Sequence, residues 1–455
     1  MKHHVSLNPA TNQVTLTCPS WDARRLAQAL EKTHDAQQTW MQTTYSQRAA
    51  ILRDVALRLR AQRDQYAPLI TQEMGKPLRE ARAEVEKCAG VCDYYAQHTE
   101  DFLRAEPIES DAGKSYVAYY PLGVVLAVMP WNFPFWQVFR AAAPALMAGN
   151  ALLLKHAPNV PQCALAIEAI FRDCGLPDGL FTTLIIEVDQ VAEAIASPHV
   201  HAVTLTGSEA AGRKVAAYAG QHLKKCVLEL GGSDPFIVLH DADLELAANM
   251  AVASRFMNCG QSCIAAKRFI VVPQIADEFL RELKTRVEAL KLGDPMDEAT
   301  QIGPMARLDL RDTLHRQVCD SIAQGAVAVT GCDMAGGEGF FYQPSILDRV
   351  SAKTCAWHEE LFGPVAIMIR AASEEDALRT ANETRFGLGS SIWSKDTLRA
   401  ERLAGQVQAG CTFINGMVKS DPRLPFGGVK ASGYGRELSK LGIHEFVNAK
   451  TVWVL

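Results

Sequence analysis

From residue 123 onward, short apolar runs alternate with segments of helical periodicity, and this alternation constrains the fold more than any other feature of the 455-residue chain. In the first series, strands are predicted near 124–128, 152–154, 181–186, 201–205 and 226–229, with helices near 137–148, 160–173, 188–196 and 208–220. In the second series, strands are predicted near 236–239, 268–272, 365–370, 388–393 and 411–414, with helices near 243–257, 274–290, 306–323, 373–383 and 396–404. Strands separated by helices of about 10–15 residues are joined by crossover connections, so the sequence predicts two α/β units with parallel sheets.

The segments outside the two series complete a three-part architecture. Apolar residues at helical spacing predict a helix over 22–65 and another over about 76–102. Two strand-like segments, at 115–120 and 451–455, belong to neither series. An unpaired apolar edge would promote aggregation, so we expect these segments to form a ribbon that pairs subunits in a homodimer or homotetramer. The predicted boundaries are 1–104 with 123–228 for the first domain, 229–420 for the second, and 105–122 with 433–455 for the ribbon.

Composition argues against several classes of protein. The formal net charge of −5 does not indicate a nucleic-acid-binding surface, and no apolar run reaches the roughly 18–20 residues of a membrane span. The N-terminus lacks the charged-then-apolar pattern of a signal peptide, which favours a cytoplasmic location. The 12 cysteines are scattered and form no CxxC pair. This pattern is typical of a reducing compartment and argues against a structural zinc site, so no metal is predicted.

The second series contains a candidate nucleophile, Cys263, at the end of the run Gly-Gln-Ser-Cys. It follows a helix predicted to stop near Asn258, and backbone N–H groups at such a boundary would lower the pKa of the thiol, which is about 8.5 in free cysteine. A lone cysteine is more often a small buried hydrophobe. Cys259, four residues earlier, fits that structural role better.

Two other segments contain groups that thiol chemistry needs. Glu229 ends a predicted strand between apolar neighbours, where partial desolvation would raise its pKa toward the range of a general base. Asn132 directly follows the first strand, and its amide would hold an oxyanion together with the backbone N–H of Cys263. Taken singly, a solvated surface glutamate and an Asx-turn asparagine are the more common interpretations.

The three motifs occur along the chain as Trp-Asn-Phe-Pro at 131–134, Glu-Leu-Gly-Gly at 229–232 and Gly-Gln-Ser-Cys at 260–263. In this order they resemble the aldehyde dehydrogenase superfamily, and the resemblance extends over nearly the whole chain. It implies an α/β fold with a Rossmann-type parallel-sheet cofactor domain, an α/β catalytic domain and a small β oligomerisation ribbon. It also implies NAD(P)-dependent oxidation of a small aldehyde to a carboxylic acid through a thiohemiacetal and a thioester on the cysteine.

The expected cofactor site lacks the usual dinucleotide fingerprint, because GxGxxG follows none of the predicted strands. Instead, a Thr-Gly-Ser sequence follows the strand near 201–205 and opens a helix, whose N–H groups and dipole favour phosphate. The aldehyde dehydrogenases use this variant. The resemblance implies Glu360 at the nicotinamide ribose, Phe362 beside the nicotinamide and Lys155 at the adenine-side ribose. The full set of expected cofactor residues is Trp131, Lys155, Thr206, Gly207, Ser208, Glu360 and Phe362.

One departure from the family concerns the choice of cofactor. Members that prefer NAD usually carry a glutamate three residues after the lysine, and Pro158 stands at that position here. Proline offers neither a carboxylate for the ribose hydroxyls nor a donor for a 2′-phosphate. Lys155 can serve either cofactor, and we interpret the sequence as NAD-dependent with some use of NADP.

The expected substrate pocket begins with Arg140, eight residues after Asn132 in an otherwise apolar helix. In the succinate-semialdehyde dehydrogenases, a subgroup of this family, an arginine at this position holds the distal carboxylate, and guanidinium–carboxylate pairs are strong. Ser420 resembles a carboxylate-binding serine of that subgroup, and Trp136 is expected in the pocket wall. Met257 stands where some members place a second arginine, so the match is partial.

Several alternatives stay open at this stage. Arg140 could be a surface or internal ion-pair residue, in which case a smaller or less acidic aldehyde becomes the substrate. The acyl group could pass to coenzyme A instead of water, although the glutamate base favours hydrolysis. A non-catalytic protein on the same scaffold is the third alternative, and the presence of all three catalytic residue types argues against it.

Overall fold

The computed structural model describes residues 2–455, and its N-terminal part is a hairpin followed by helices. The elements are β1 (His3–Asn8), β2 (Gln13–Pro19), α1 (Ala23–Trp40), α2 (Tyr45–Ala61), α3 (Arg63–Met74) and α4 (Leu78–Phe102). The sequence predicted one helix over 22–65, and the structure divides this region into three. The first division occurs at Thr44, whose side chain accepts a hydrogen bond from the Gln47 N–H at 3.2 Å and starts a new helix with a capping box. The second occurs at Gln62, where α2 ends and α3 begins.

The first sheet occupies the next part of the chain. Its region contains β3 (Glu106–Pro107), β4 (Lys114–Pro121), β5 (Val124–Met129), α5 (Trp136–Met147), β6 (Ala151–His156), α6 (Pro161–Asp173), β7 (Phe181–Thr183), α7 (Gln190–Ala196), β8 (Ala202–Thr206), α8 (Glu209–Gln221) and β9 (Lys225–Glu229). Strand β5 lies parallel to β6 on one side and to β8 on the other. The chain therefore builds outward in two directions from β5, and such a switch point opens a ligand crevice at the carboxyl ends of the strands.

A second sheet of seven strands follows. Its region contains β10 (Asp234–Val238), α9 (Leu244–Phe256), β11 (Ala266–Val271), α10 (Ala276–Glu288), α11 (Leu308–Ala323), β12 (Val327–Thr330), β13 (Ser345–Asp348), α12 (Cys355–His358), β14 (Val365–Arg370), α13 (Glu374–Asn382), β15 (Gly389–Trp393), α14 (Thr397–Ala404) and β16 (Cys411–Ile414). All strands are parallel except β12, which pairs antiparallel with β13 at one edge. The sequence did not predict these two strands, each of which has four residues.

The C-terminal segment contributes to two different sheets. It contains β17 (Gly433–Tyr434), α15 (Ser439–His444) and β18 (Val447–Val454). Strand β17 extends the first sheet by pairing with β9, whereas β18 pairs along its whole length with β4, beside which β3 adds a third short strand. The predicted ribbon over 433–455 is thus too long, and its strand begins at Val447. The reason is Gly433: a Cβ there would lie 2.0 Å from the carbonyl oxygen of Leu228, so only glycine allows this approach to β9.

The buried apolar side chains form two clusters, one around each large sheet, and the predicted α/β class with parallel sheets is confirmed. Leu230 belongs to the first cluster and Phe236 to the second, so the chain crosses between the units within these few residues. It returns to their boundary after α9, where Cys259 is buried in the second cluster and Cys263 packs against the first. Within residues 2–455, no helix combines the length and apolar composition needed to cross a membrane.

Candidate active site

The loop that carries Cys263 has an unusual backbone. After α9 the chain makes a short 3-10 turn over Met257–Gly260, and three consecutive residues have positive φ: Asn258 at 56°, Cys259 at 53° and Gly260 at 69°. Left-handed conformations are uncommon outside glycine, and surrounding contacts must hold them. Arg255 provides such contacts, because its guanidinium donates to the carbonyl oxygens of Gly260 at 3.2 Å and Leu361 at 2.8 Å. The loop is therefore fastened to the chain segment just before β14.

The two neighbouring thiols occupy different environments. Cys259 is fully buried, and burial raises its pKa well above the usual range. Cys263 instead lies in the wall of two cavities, one on each side of the thiol. Access to both cavities makes Cys263 the candidate nucleophile and leaves Cys259 as a packing residue.

The electrostatics of Cys263 differ from the sequence expectation. Burial raises the pKa of its thiol to about 12, and the positive charges of Arg140 and Lys267 act in the opposite direction without overcoming burial. We expected backbone N–H groups at the loop to lower this pKa, and that expectation was wrong because desolvation of the thiolate dominates. The thiol is protonated at neutral pH and requires a base to become a nucleophile.

Asn132 lies against the thiol loop, in the wall of the same cavity as Cys263. Its Nδ2 donates to the carbonyl oxygen of Gln261 at 3.1 Å, and the Asn258 side chain donates to the Asn132 carbonyl oxygen at 2.7 Å. An amide group has two N–H donors, so one remains for a ligand. Within residues 2–455 the backbone N–H of Cys263 also has no hydrogen-bond acceptor. Two donors beside one sulfur form the arrangement that an oxyanion needs.

Glu229 does not share the cavities of Cys263 and Asn132. It is 2% exposed at the end of β9, and a Cβ on Gly427 would lie 2.7 Å from its Oε1. Burial and the nearby Glu437 raise its pKa, whereas the charge of Arg140 lowers it. An upward shift is the direction expected from the apolar neighbours of Glu229. The thiol and the amide therefore line one cavity, whereas the Glu229 carboxylate lies behind its wall.

Arg140 is buried and already has an acidic partner. It is 2% exposed, its Nε forms an ion pair with the carboxylate of Glu437, and its Nη2 donates to Thr206 Oγ1 at 3.2 Å. The guanidinium also lies 4.8 Å from the ring centre of Phe426. The internal ion pair left open as an alternative is thus present. Glu437 was not identified from the sequence, because it lies in none of the motifs found there.

The first cavity, of about 240 Å³, lies at the carboxyl ends of β5 and β8, at the switch point of the first sheet. Six of the seven expected cofactor residues are in its wall: Trp131, Thr206, Gly207, Ser208, Glu360 and Phe362. The ring of Phe362 meets that of Trp131 edge-on, with 5.8 Å between centroids. Ser208 caps α8, whose N-terminus opens onto this crevice.

The seventh residue, Lys155, lies outside that wall at the end of β6. Its Nζ donates to the carbonyl oxygen of His156 at 3.0 Å. Burial lowers the pKa of Lys155 to about 8, with Glu187 acting in the opposite direction. A desolvated ammonium of this kind gains from a hydroxyl or phosphate acceptor.

Lys267 connects the thiol loop with the cofactor crevice, and the sequence analysis missed it. Its Nζ donates to the carbonyl oxygens of Ser262 at 2.9 Å and Cys263 at 3.0 Å, and it lies 3.2 Å from Glu360 Oε1. That same Oε1 accepts a hydrogen bond from the Gly232 N–H at 3.1 Å. Lys267 and the Gly232 N–H therefore both hold the Glu360 carboxylate at the crevice. No sequence motif around Lys267 had indicated this role.

The second cavity, of about 210 Å³, lies on the other side of the thiol. Its wall contains the three expected substrate residues, the thiol and the methionine noted in the sequence: Trp136, Arg140, Ser420, Cys263 and Met257. It also contains Lys87, from α4, which sequence reasoning missed because α4 holds many charged residues. The Nζ of Lys87 donates to Ser420 Oγ at 2.6 Å and lies 4.1 Å from the centre of the Trp136 ring. Burial, and next the charge of Arg140, lower the pKa of Lys87 to about 8.

Comparison with known proteins identifies the family. The model of the aldehyde dehydrogenase family matches residues 2–452. A succinate semialdehyde dehydrogenase [NAD(P)+], Sad, from Escherichia coli is 48% identical over 99% of this chain and 98% of that relative. A probable succinate-semialdehyde dehydrogenase [NADP(+)] from Synechocystis is 49% identical over 99% of both chains. A crystal structure of succinic semialdehyde dehydrogenase from Streptococcus pyogenes, in complex with NADP+, has a TM-score of 0.97 at 39% identity over 99% of both chains.

The chain belongs to the aldehyde dehydrogenase family, and it is an oxidoreductase that acts on aldehydes. The resemblance identified from the three motifs is thereby confirmed.

Proposed function

We propose that this protein oxidises succinate semialdehyde to succinate with NAD or NADP. One observation carries the proposal: Cys263 lies between two cavities, of which one has the groups a dinucleotide requires and the other has three cations and two carboxylates in its wall. The names of the close relatives support the same substrate.

The size and charge of the second cavity favour a small anionic aldehyde. Sites for drug-sized ligands measure about 300–1,000 Å³, and this cavity has about 210 Å³. Its wall holds three cations, Lys87, Arg140 and Lys419, and two carboxylates, Glu80 and Glu84. Glu84 is already paired with Lys76, so the positive charges are in excess. A short chain with an aldehyde at the thiol and a carboxylate at the cations fits both properties.

The first α/β unit is proposed to bind the dinucleotide along its crevice, where the cavity of about 240 Å³ next to Cys263 would take the nicotinamide end. The N-terminus of α8 suits phosphate, Glu360 suits ribose hydroxyls, and the Trp131–Phe362 pair offers an apolar wall for a flat ring. When bound, the nicotinamide supplies the acceptor for a hydride. Pro158 places no carboxylate near a 2′-phosphate, and the two relatives are named for NADP(+) or NAD(P)+. We therefore propose that NADP serves at least as well as NAD. The preference for NAD predicted from the sequence has no support from the names of these relatives.

The proposed chemistry follows from the residues around the thiol. The Cys263 thiol gives its proton to water in the cavity and its sulfur forms a bond to the aldehyde carbon, while the amide of Asn132 and the Cys263 N–H hold the oxygen. The C–H bond of that carbon would then break with transfer of a hydride to the nicotinamide of a bound dinucleotide, which leaves the acyl group on the sulfur as a thioester. Glu229, in its ionised form, takes a proton from the water that releases the acid. Arg140 favours ionisation of both groups, because its positive charge lowers the pKa of Cys263 and of Glu229.

A panel of aldehydes tests this function. We expect kcat/KM for succinate semialdehyde to exceed that for butanal by at least about 10-fold, the effect of one charge-assisted hydrogen bond. Each aldehyde is assayed with NAD and with NADP, and with coenzyme A added in a parallel series. Equal kcat/KM for the two aldehydes would refute the proposed substrate. Formation of acyl-CoA would show that the acyl group passes to coenzyme A and not to water.

A further inference from the structure

Lys267 lies where the thiol loop meets the cofactor crevice, yet it lines neither cavity. It is the second residue of β11, and its side chain is 1% exposed. Its ammonium has three N–H groups. The three closest partners are the carbonyl oxygens of Ser262 and Cys263, which accept hydrogen bonds, and the Glu360 carboxylate, with which it forms an ion pair. A buried cation engaged on all sides makes the groups around it rigid.

The backbone of β11 is irregular at this residue. The register between β10 and β11 skips Lys267, because the ladder pairs on either side of it join consecutive residues of β10. Such a β-bulge redirects a side chain and is common beside active sites. The next residue, Arg268, is also a buried cation, but it binds the carbonyl oxygens of Thr380 and Ala381 in α13. The bulge therefore serves the contacts of Lys267 with the site.

Two glycines of the Glu-Leu-Gly-Gly segment allow the thiol loop and Glu360 to come close together. A Cβ on Gly231 would lie 2.3 Å from Glu360 Oε2, and a Cβ on Gly232 would lie 2.8 Å from the Cys263 carbonyl oxygen. Lys267 and the Gly232 N–H both bind Oε1 of Glu360, whereas no group within residues 2–455 donates a hydrogen bond to Oε2. One oxygen is thus fastened inside the protein, and the other is available to a ligand in the crevice.

We propose that Lys267 is a positioning residue that holds the thiol loop and Glu360 in one rigid frame, so that the Cys263 sulfur meets the nicotinamide end of the dinucleotide at a fixed distance. This inference rests on the proposed place of the dinucleotide. Because Lys267 joins the two sites, a ligand on Glu360 and the arrangement of the thiol loop are coupled, and each affects the other equally.

No other charged group takes the place of the ammonium. Glu360 is 19% exposed, and Lys267 is its ion-pair partner among residues 2–455. Asp234, the other buried acid nearby, accepts a hydrogen bond from the Gly389 N–H at 3.1 Å instead. Without Lys267, a largely buried carboxylate would lack its cation and two carbonyl oxygens would lack their donor, so both segments would have to shift.

Lys267→Met removes the ammonium and keeps a side chain of similar length. With NADP saturating, we expect kcat to fall about 10- to 100-fold with succinate semialdehyde and with butanal alike, the effect of misplacing reacting groups by up to about 1 Å. The dissociation constant of NADP, measured by quenching of tryptophan fluorescence, should rise at least about 5-fold, as for two coupled sites. Circular dichroism checks folding, and Lys267→Gln is used if Lys267→Met does not fold.

Alkylation of Cys263 by iodoacetamide, followed by peptide mass spectrometry without cofactor, gives a measurement independent of turnover. The charge of Lys267 lowers the pKa of the Cys263 thiol, and the charge of Glu360 raises it. Alkylation should therefore be slower than in the wild type for Lys267→Met, and equal or faster for Glu360→Gln. A loop that had merely loosened would expose the thiol, and faster alkylation in Lys267→Met would overturn the inference.

Arg268→Lys is the matched control, because it alters the neighbouring buried cation of the same strand. It should leave the dissociation constant of NADP and the rate of Cys263 alkylation unchanged, even if it lowers stability. Changes as large as those in Lys267→Met would mean that any buried cation of β11 acts through stability alone, and Lys267 would lose its assigned role.

Glu360→Gln separates this inference from the proposal on which it rests. An unchanged dissociation constant of NADP in Glu360→Gln would refute the proposed place of the dinucleotide, and the inference with it. If Glu360→Gln weakens NADP binding while folded Lys267→Met changes neither NADP binding nor alkylation, the place of the dinucleotide stands and the role of Lys267 is refuted.

Discussion

At the scale of single residues, the buried guanidinium of Arg140 influences the pKa of most of the reactive groups. Arg140 lowers the pKa of Cys263, Glu229 and Glu437, and it also lowers the pKa of Lys87. Burial acts against ionisation at each of these groups. The guanidinium therefore favours the anionic forms that chemistry requires and makes the nearby ammonium easier to deprotonate.

The pKa of Lys87 predicts how substrate preference depends on pH. Burial lowers this pKa to about 8, so the ammonium is charged below that pH and increasingly neutral above it. The charged and titratable groups that face Lys87 are Glu84 and Cys88 on its own helix, Lys76 before it, Arg140 on α5 and Lys419 on the segment with Ser420. We expect the ratio of kcat/KM for succinate semialdehyde to that for butanal to be constant at lower pH and to fall above about pH 8.

Measuring the ratio removes the contributions of Cys263 and Glu229, whose titration affects both aldehydes alike. In Lys87→Arg the guanidinium stays charged over this range, so the ratio should remain constant with pH. A wild-type ratio that does not change between about pH 7 and 9.5 would contradict titration of Lys87 in the wall of the substrate cavity.

At the scale of elements, the segment between α9 and β11 determines where the thiol lies. Its left-handed residues turn the chain sharply, and Gly260 comes so close to the segment before β14 that a Cβ would lie 2.3 Å from the Gly363 carbonyl oxygen. The carbonyl belongs to backbone that Arg255 also binds, so it cannot easily move aside. Glycine is required here both for its φ of 69° and for the close approach.

Gly260→Ala is therefore expected to displace the loop and to lower kcat by at least about 100-fold, the effect of misplacing reacting groups by about 1 Å. The free energy of unfolding should also fall by more than about 1 kcal/mol. Gly90→Ala is the control, because this glycine lies inside α4 and a Cβ there would meet no atom within 4 Å. It should leave activity intact and stabilise the protein by about 0.5–1 kcal/mol, as measured by urea denaturation. Full activity in Gly260→Ala would show that the loop tolerates a different backbone.

At the scale of the whole molecule, the ribbon of β18, β4 and β3 carries exposed apolar side chains. Strand β18 is an edge strand, and Trp453 and Val454 on it are 49% and 48% exposed. An apolar edge of this kind is normally covered. We propose that a second copy of the chain covers it in a homodimer or homotetramer.

Trp453→Lys should separate such an assembly, because a charge would be placed on the edge that pairs subunits. We expect the mass measured by sedimentation to decrease toward that of the single 49.7 kDa chain. Leu57→Lys introduces the same side chain at another exposed apolar residue, on α2, and should leave the mass unchanged. An unchanged mass in Trp453→Lys would place the subunit contact elsewhere.

The sequence by itself determined the family, the two α/β units and the motif residues, because hydrophobic periodicity and short motifs are local properties of a chain. The thiol, the amide and six cofactor residues could thus be identified and do line the cavities. Only the tertiary structure decided which charges meet. Glu437 with Arg140, Lys267 with Glu360 and Lys87 with Ser420 are pairs from distant segments. Packing of the two units brings them together, and burial then sets the pKa of each group, so neither their partners nor their protonation could be inferred from local sequence.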